Sequence, residues 1–332
     1  MNRAAVLVGL GGLLPRTVVT NHELAEVLDT DDEWIRSRTG IRRRHVILPG
    51  ESTGDLAVEA GRRALASAGV AHADVVLVAT STPDRLCPAT APEVASRLGL
   101  SGVPAFDVAA VCTGFVYALA TAAGLIAARF AGTVLVIGAD TFSTILDPAD
   151  RTTRAVFGDG AGAVLLRAGD DDEPGALRGL TLGSDGSRSE LISIPGGGSR
   201  RRSLGPVRPE ELYFTMQGRA VFHEAVLRMS DSVRTSADRA GWTLPDVDRV
   251  VLHQANSRIL AAVAERLDLP AASFVSNIER VGNTVAASIP LALVDGAADG
   301  GLREGHRVVL AGFGGGLTWG AVSLTWPRVE AA

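Results

Sequence analysis

Residues 105–115 read AFDVAAVCTGF. The stretch opens as an apolar run of strand type and tightens at Thr113 and Gly114. It then passes into an Ala-rich segment over residues 115–130 with helical spacing. This predicts strand, tight turn and helix, with Cys112 at the helix entrance. Unpaired N–H groups and partial positive charge at a helix N-terminus favour thiolate over thiol. Ala109, Ala110, Thr113 and Gly114 leave room for a substrate to approach the sulfur. On this stretch alone two readings stay open: a nucleophile, or a small buried core residue.

The chain has 332 residues, 46% hydrophobic and 21% charged, enough for one large domain or two of ordinary size. A net charge of −5 gives no pointer to nucleic acid. All 32 lysine-or-arginine positions are arginine, which excludes a Schiff-base lysine and a P-loop lysine. Cys87 and Cys112 are the only cysteines. Such sparse usage fits a reducing compartment and provides no disulfide framework or cysteine-based zinc site. Residues 3–14 superficially resemble a signal peptide. The basic start is a single arginine, however, no small-x-small site follows, and Pro15 and Arg16 end the run. A buried first strand closing in a Gly turn is the better reading. No apolar run is long enough to span a bilayer, so a cytoplasmic protein with no membrane partner is expected.

Outward from the cysteine, the chain alternates strands and helices, the pattern of an α/β protein. Thr20 caps a short helix; residues 52–68 and 91–98 have helical spacing, and residues 74–80 and 133–138 are buried strands. Residues 29–45 mix Trp34 with Arg36, Arg38, Arg42, Arg43 and Arg44. A solvated charged face accounts for most of these arginines; a nucleotide contact with Trp34 as stacking surface is the alternative. Residues 170–209, with an acidic run, a triple glycine and a solvated triple arginine, read as a connection followed by a long surface loop. A long helix is predicted from Phe214 to about Ala240.

The second half repeats the first in outline. Residues 248–253 match 74–78, residues 273–278 with the following helix match the Cys112 strand and helix, residues 306–311 match 133–137, and residues 318–324 match 160–166. Two α/β halves are therefore expected, 1–170 and 171–332, with the active site where their strand ends meet. His253 leaves a buried strand there, Asn283 sits at the pseudo-symmetric counterpart of Cys112, and Phe313 leads into Gly314, Gly315 and Gly316, which can present bare backbone N–H groups. Singly, His253 reads as structural and Asn283 as a cap; their joint occurrence at equivalent strand ends favours a site.

Taken together, these motifs resemble the β-ketoacyl-[acyl-carrier-protein] synthase III family of the thiolase fold, over nearly the whole length from Gly9 to Leu324. The resemblance rests on DDEWI at 31–35 with RTGIR at 38–42, the turn around Cys112, FGDGAG at 157–162, HQAN at 253–256, GNT at 282–284 and FGGGLTWG at 313–320. It implies two pseudo-symmetric βαβαβαββ-type halves in an α/β/α/β/α layered structure. It implies that Cys112 takes the acyl group from an acyl-CoA, with the N–H groups of Cys112 and Gly315 as oxyanion hole. His253 and Asn283 would hold the carbonyl of malonyl-acyl carrier protein while CO2 leaves and the enolate attacks the acyl-cysteine. Trp34 with Arg151 would sandwich the CoA adenine, while Thr30, Arg38, Gly218 and Asn256 match other positions of the CoA channel. Arg258 matches a carrier-protein docking position. A homodimer is implied, and no cofactor beyond the CoA thioester that serves as substrate.

Three features depart from the family pattern. Thr113 follows the nucleophile where Ala or Ser is common. Cys87 stands where a bulkier residue commonly caps the acyl pocket across the dimer, and reads equally as an acyl-pocket residue or a packed interface residue. The loop at residues 195–209 is longer than expected. Phe313 to Gly316 lacks the second cysteine of thiolases. Asn283 opposes the acyltransferases of the same family that form esters or amides in secondary-metabolite pathways, which remain the alternative. A cysteine hydrolase would pair histidine with cysteine as base.

Overall fold

The computed structural model describes residues 3–331. Strands β1 (Ala4–Leu13), β2 (Val75–Ala79), β3 (Ala105–Val108), β4 (Thr133–Asp140) and β5 (Gly160–Gly169) form one sheet in the order β1-β5-β4-β2-β3. A second sheet contains β6 (Arg178–Ser184), β7 (Arg249–Leu252), β8 (Arg307–Gly314) and β9 (Thr318–Thr325) in the order β6-β9-β8-β7. The two orders coincide. In each, the opening strand lies antiparallel to the closing strand, and β2 with β4 and β7 with β8 form equivalent parallel pairs; β3 adds a second parallel pairing to β2 in the first sheet. The expected duplication is thus visible as topology.

One predicted strand is missing. Residues 273–278 contribute only an isolated bridge between Val250 and Phe274. The side chain of Gln254 takes the place of a ladder: its Nε2 donates to the carbonyls of Leu252 (2.8 Å) and Val275 (3.3 Å), and its Oε1 accepts from Ser276 Oγ (2.7 Å).

Five longer helices make the layers: α1 (Thr53–Ser67), α2 (Gly114–Ala127), α3 (Gly218–Arg239), α4 (Ser257–Leu267) and α5 (Ser288–Ala298). Ser52 starts α1 with a capping box to Asp55. Leu56, Ala60 and Ala64 recur at helical spacing and are buried against the first sheet. The glycines of β1 do not form a turn, as the sequence predicts; they lie within the strand. A Cβ at Gly9 would lie 2.3 Å from the Ala64 carbonyl oxygen, so the missing side chain is what lets α1 pack this close. Helices α2 and α5 run between the sheets, where Phe115, Leu119, Ile289 and Leu293 join strands of both in one core. Helices α3 and α4 cover the outer face of the second sheet. Helix α3 begins four residues later than predicted, because Thr215 and Met216 pair with Ser193 and Ile192 in a separate two-stranded ribbon. Among the described residues, no helix is long and apolar enough to cross a membrane.

Contact between the halves is backbone-close. A Cβ at Gly138 in β4 would lie 2.3 Å from the Ala286 carbonyl oxygen, just before α5. Gly138→Ala is therefore expected to lower the unfolding free energy by about 3 kcal/mol in a urea titration. Gly124→Ala, in α2 with nothing within 4 Å of the added carbon, is expected to raise it by up to about 1 kcal/mol.

Candidate active site

Between β3 and α2 the chain makes a 3-10 turn, Val111–Thr113, with Val111 at φ 47°. A left-handed conformation is costly for a β-branched side chain, so the surroundings must hold it. The second half repeats the strain at Val285, φ 52°, followed by the 3-10 turn Val285–Ala287 and α5. Superposing the two turns makes Ala286, not Asn283, the counterpart of Cys112, which corrects the sequence expectation. Asn283 lies three positions earlier and reaches the site by another route. Its N–H donates to the Val156 carbonyl (2.9 Å) and its carbonyl accepts from the Gly158 N–H (3.0 Å), strand-like pairing with the first half. Gly282 allows this with φ 71°, where a Cβ would lie 3.0 Å from the Val156 oxygen.

Cys112, His253 and Asn283 line one cavity of about 440 Å³. All three are buried. Burial and the nearby Asp140 carboxylate push the Cys112 thiol well above its ordinary pKa, while its own backbone N–H pulls the other way. The balance is the reverse of what the helix position alone predicts: the resting sulfur is a thiol. Burial takes His253 down to about 3, so its imidazole is neutral at physiological pH. Its Nδ1 lies 2.6 Å from Ser288 Oγ at the start of α5. Asn283 Oδ1 accepts from the Val285 N–H at 3.0 Å, which fixes the amide orientation and leaves Nδ2 without a protein partner among the described residues. The Gly-rich turn after β8 packs on the cysteine turn: a Cβ at Gly314 would lie 2.9 Å from the Cys112 nitrogen. The Gly315 N–H has no hydrogen-bond partner among the described residues.

Arg38, Gly218, Asn256 and Arg258 line the same cavity. Asn256 also caps α4 through the Ile259 N–H (3.0 Å). Trp34, Arg151, Thr30, Gly315 and Cys87 lie outside its lining. The guanidinium groups of Arg38 and Arg151 sit over the Trp34 ring at 4.6 and 4.9 Å from its centroid, and Arg151 also bonds Asp29. Thr30 has a buried hydroxyl with no partner among the described residues. Cys87 is exposed on the single chain.

Sequence reasoning missed several neighbours of the site. Phe142, Phe157 and Phe214 form an aromatic triangle beside Cys112, with centroids 4.6–5.1 Å apart; they are far apart in sequence and carry no shared motif. Ser288, in the helix that follows Asn283, has no motif in the sequence that sets it apart. Arg44 is not solvated, as expected with Arg36 and Arg43, but 1% exposed. The bare glycines at 158 and 282 admit its stem, and its guanidinium donates to the carbonyls of Val19 (3.1 Å) and Ala155 (2.7 Å). Burial lowers its pKa only to about 10, so it stays charged. Within the triple arginine, Arg201 pairs with Glu211 at 2.8 Å and organises the long loop instead of facing solvent freely.

A duplicated five-layer fold with cysteine, histidine and asparagine around a cavity between its halves defines the thiolase-fold condensing enzymes. Residues 106–186 match the sequence model of 3-oxoacyl-[acyl-carrier-protein] synthase III, and residues 237–326 match that of its C-terminal part. The chain is 59% identical to β-ketoacyl-[acyl-carrier-protein] synthase III 5 of Streptomyces coelicolor over 332 residues, covering 100% of both chains. It superposes on the crystal structure of 3-oxoacyl-(acyl carrier protein) synthase III from Pseudomonas aeruginosa with TM-score 0.93 and 56% identity, covering 98% of this chain and 99% of that one. The priming β-ketosynthase of a polyketide biosynthetic pathway gives TM-score 0.90 at 33% identity, with 98% and 97% covered. The chain belongs to the β-ketoacyl-[acyl-carrier-protein] synthase III family and is an acyltransferase of the condensing type.

A histidine whose pKa falls from 6.5 to about 3 on folding binds more protons when unfolded in the interval between. Its contribution therefore lowers stability progressively as pH falls from about 6.5 toward 3. Urea titrations between pH 4 and 6.5 are expected to show a pH slope shallower in His253→Asn than in the parent protein, by up to about 1.4 kcal/mol per pH unit.

Proposed function

We propose that the chain condenses an acyl-CoA starter with malonyl-acyl carrier protein to give 3-ketoacyl-carrier protein, CoA and CO2. The observation that carries this reading is the meeting, on one cavity, of a thiol and two neutral side chains, one of them an amide with free N–H groups. Cys112 attacks the thioester, its proton leaves with CoA, and an acyl-cysteine remains. The N–H groups of Cys112 and Gly315 hold the oxyanion of the tetrahedral intermediate. Malonyl-carrier protein then places its thioester carbonyl against His253 and Asn283. Loss of CO2 generates an enolate whose oxygen those donors stabilise. Its carbon attacks the acyl-cysteine, the product leaves, and the sulfur regains a proton from solvent. Neutral donors suit this step, since a carboxylate would repel the developing oxyanion.

Trp34 and Arg151 are read as the adenine clamp. Their present 4.9 Å stack is closer than a base inserted between them would allow, so binding would open it. Thr30, Arg38, Gly218 and Asn256 are assigned to the CoA channel, and Arg258, exposed at the cavity rim, to carrier-protein docking. The chain divides into halves 1–170 and 171–332, a reading supported by sheets that end at Gly169 and begin at Arg178. A homodimer is supported by the unpaired outer edge of β3, with Phe106 39% and Leu86 78% exposed nearby. In that dimer, Cys87 would face the partner's acyl pocket. A cytoplasmic location follows from the substrates. The polyketide-priming neighbour supports a starter role in either fatty-acid or polyketide assembly.

Intact-mass spectrometry separates the two stages. Cys112→Ala is expected to abolish the acyl mass gain from acyl-CoA; acylation at the parent rate would overturn the assignment. Asn283→Ala is expected to acylate normally and to lose about 100-fold or more in decarboxylation of malonyl-carrier protein. Gly314→Ala, whose added carbon crowds the Cys112 nitrogen, is expected to impair acylation itself.

A further inference from the structure

The reading above needs His253 to present a proton to the cavity, and it rests on that reading that this matters for catalysis; which ring nitrogen carries the proton is a separate question. A neutral imidazole has one donor and one acceptor nitrogen, and the bond made by the inner nitrogen decides the tautomer. Ser288 Oγ lies 2.6 Å from Nδ1, and both residues are buried, Ser288 completely. The same oxygen accepts from the Gln254 N–H at 3.4 Å. Its hydroxyl hydrogen has no other acceptor among the described residues, so it points at Nδ1. The lone pair of Nδ1 is then used, and the ring proton must reside on Nε2. Ser288 is also the first residue of α5, an 11-residue helix whose positive end faces the imidazole and disfavours a second proton.

We propose that Ser288 is a positioning residue that keeps the single proton of the His253 imidazole on Nε2, facing the cavity. Without the hydroxyl, nothing at Nδ1 distinguishes the tautomers, and the Nδ1–H form would turn a lone pair toward the enolate oxygen. The pseudo-symmetric position in the first half is Gly114, which follows Cys112 by two residues as Ser288 follows Ala286. The hydroxyl therefore belongs to the half that handles decarboxylation, whereas the nucleophile turn has none at this place.

The test uses the full-length enzyme with 15N-labelled histidine; the His253 signal is assigned by its loss in His253→Ala. The parent is expected to show the Nε2–H tautomer. Ser288→Ala is expected to populate Nδ1–H and to lose about 10- to 100-fold in decarboxylation of malonyl-carrier protein. Acylation by acyl-CoA, which does not use the imidazole proton, should change less than about two-fold, and this also reports that the variant is folded. Ser288→Thr, which keeps the hydroxyl, should restore the tautomer and most of the rate. An unchanged tautomer in Ser288→Ala overturns the proposal. A shifted tautomer with decarboxylation intact in both Ser288→Ala and His253→Ala supports the proton placement, while removing His253 from the reaction.

Discussion

The two halves are joined at a buried seam, and the Asp140 carboxylate sits in it. It is fully buried and accepts from the Ser81 N–H (2.7 Å), the Thr80 and Thr82 hydroxyls, and the Ala286 N–H (2.9 Å). The first three partners belong to the loop after β2 and the last to the turn before α5, so one carboxylate ties the strand ends of one half to the counterpart turn of the other. Burial pushes its pKa up to about 7, against four donated bonds that favour the anion. A buried group with this many directed partners is costly to displace. The strained turns at Val111 and Val285 persist because such bonds and the facing glycines over-determine them.

The same burial acts on the two titratable groups of the candidate site. Removing water raises the Cys112 thiol and lowers His253, in opposite directions for one reason: each loses the solvation of its charged form. Cys112 and His253 therefore both rest uncharged. Charge develops only during reaction, where preorganised N–H donors are worth more than in water. The buried Arg44 and the buried Asp159, which accepts from the Ile47 N–H and from Ser143, hold the loops beneath the site. The phenylalanine triangle fills the wall beside the sulfur.

Much of this was legible in the chain. The run to Cys112, the capping residues Thr20 and Ser52, and the repeated order of strands are local patterns, and local patterns follow from periodicity and turn chemistry. What misled was also local. The glycines of β1 look like a turn because their use lies in a different element, at Ala64 of α1. Arg44 looks solvated beside Arg42 and Arg43 because its cavity is made by glycines at 158 and 282. Residues 273–278 look like a strand because the competing hydrogen bonds come from the Gln254 side chain. The thiol looks acidic at a helix end because burial is not a property of the segment.

By itself, then, the sequence determined the α/β duplication and the strand, turn and helix that carry Cys112, and it singled out Cys112, His253 and Asn283 as candidates, since each is written in spacing and residue type. Only the tertiary structure decided which residue is the counterpart of Cys112, which side chains surround the sulfur, and how Ser288 meets His253. Those depend on distances between segments 30 to 200 residues apart, and such distances are set by packing two sheets against two shared helices, a constraint no single stretch contains.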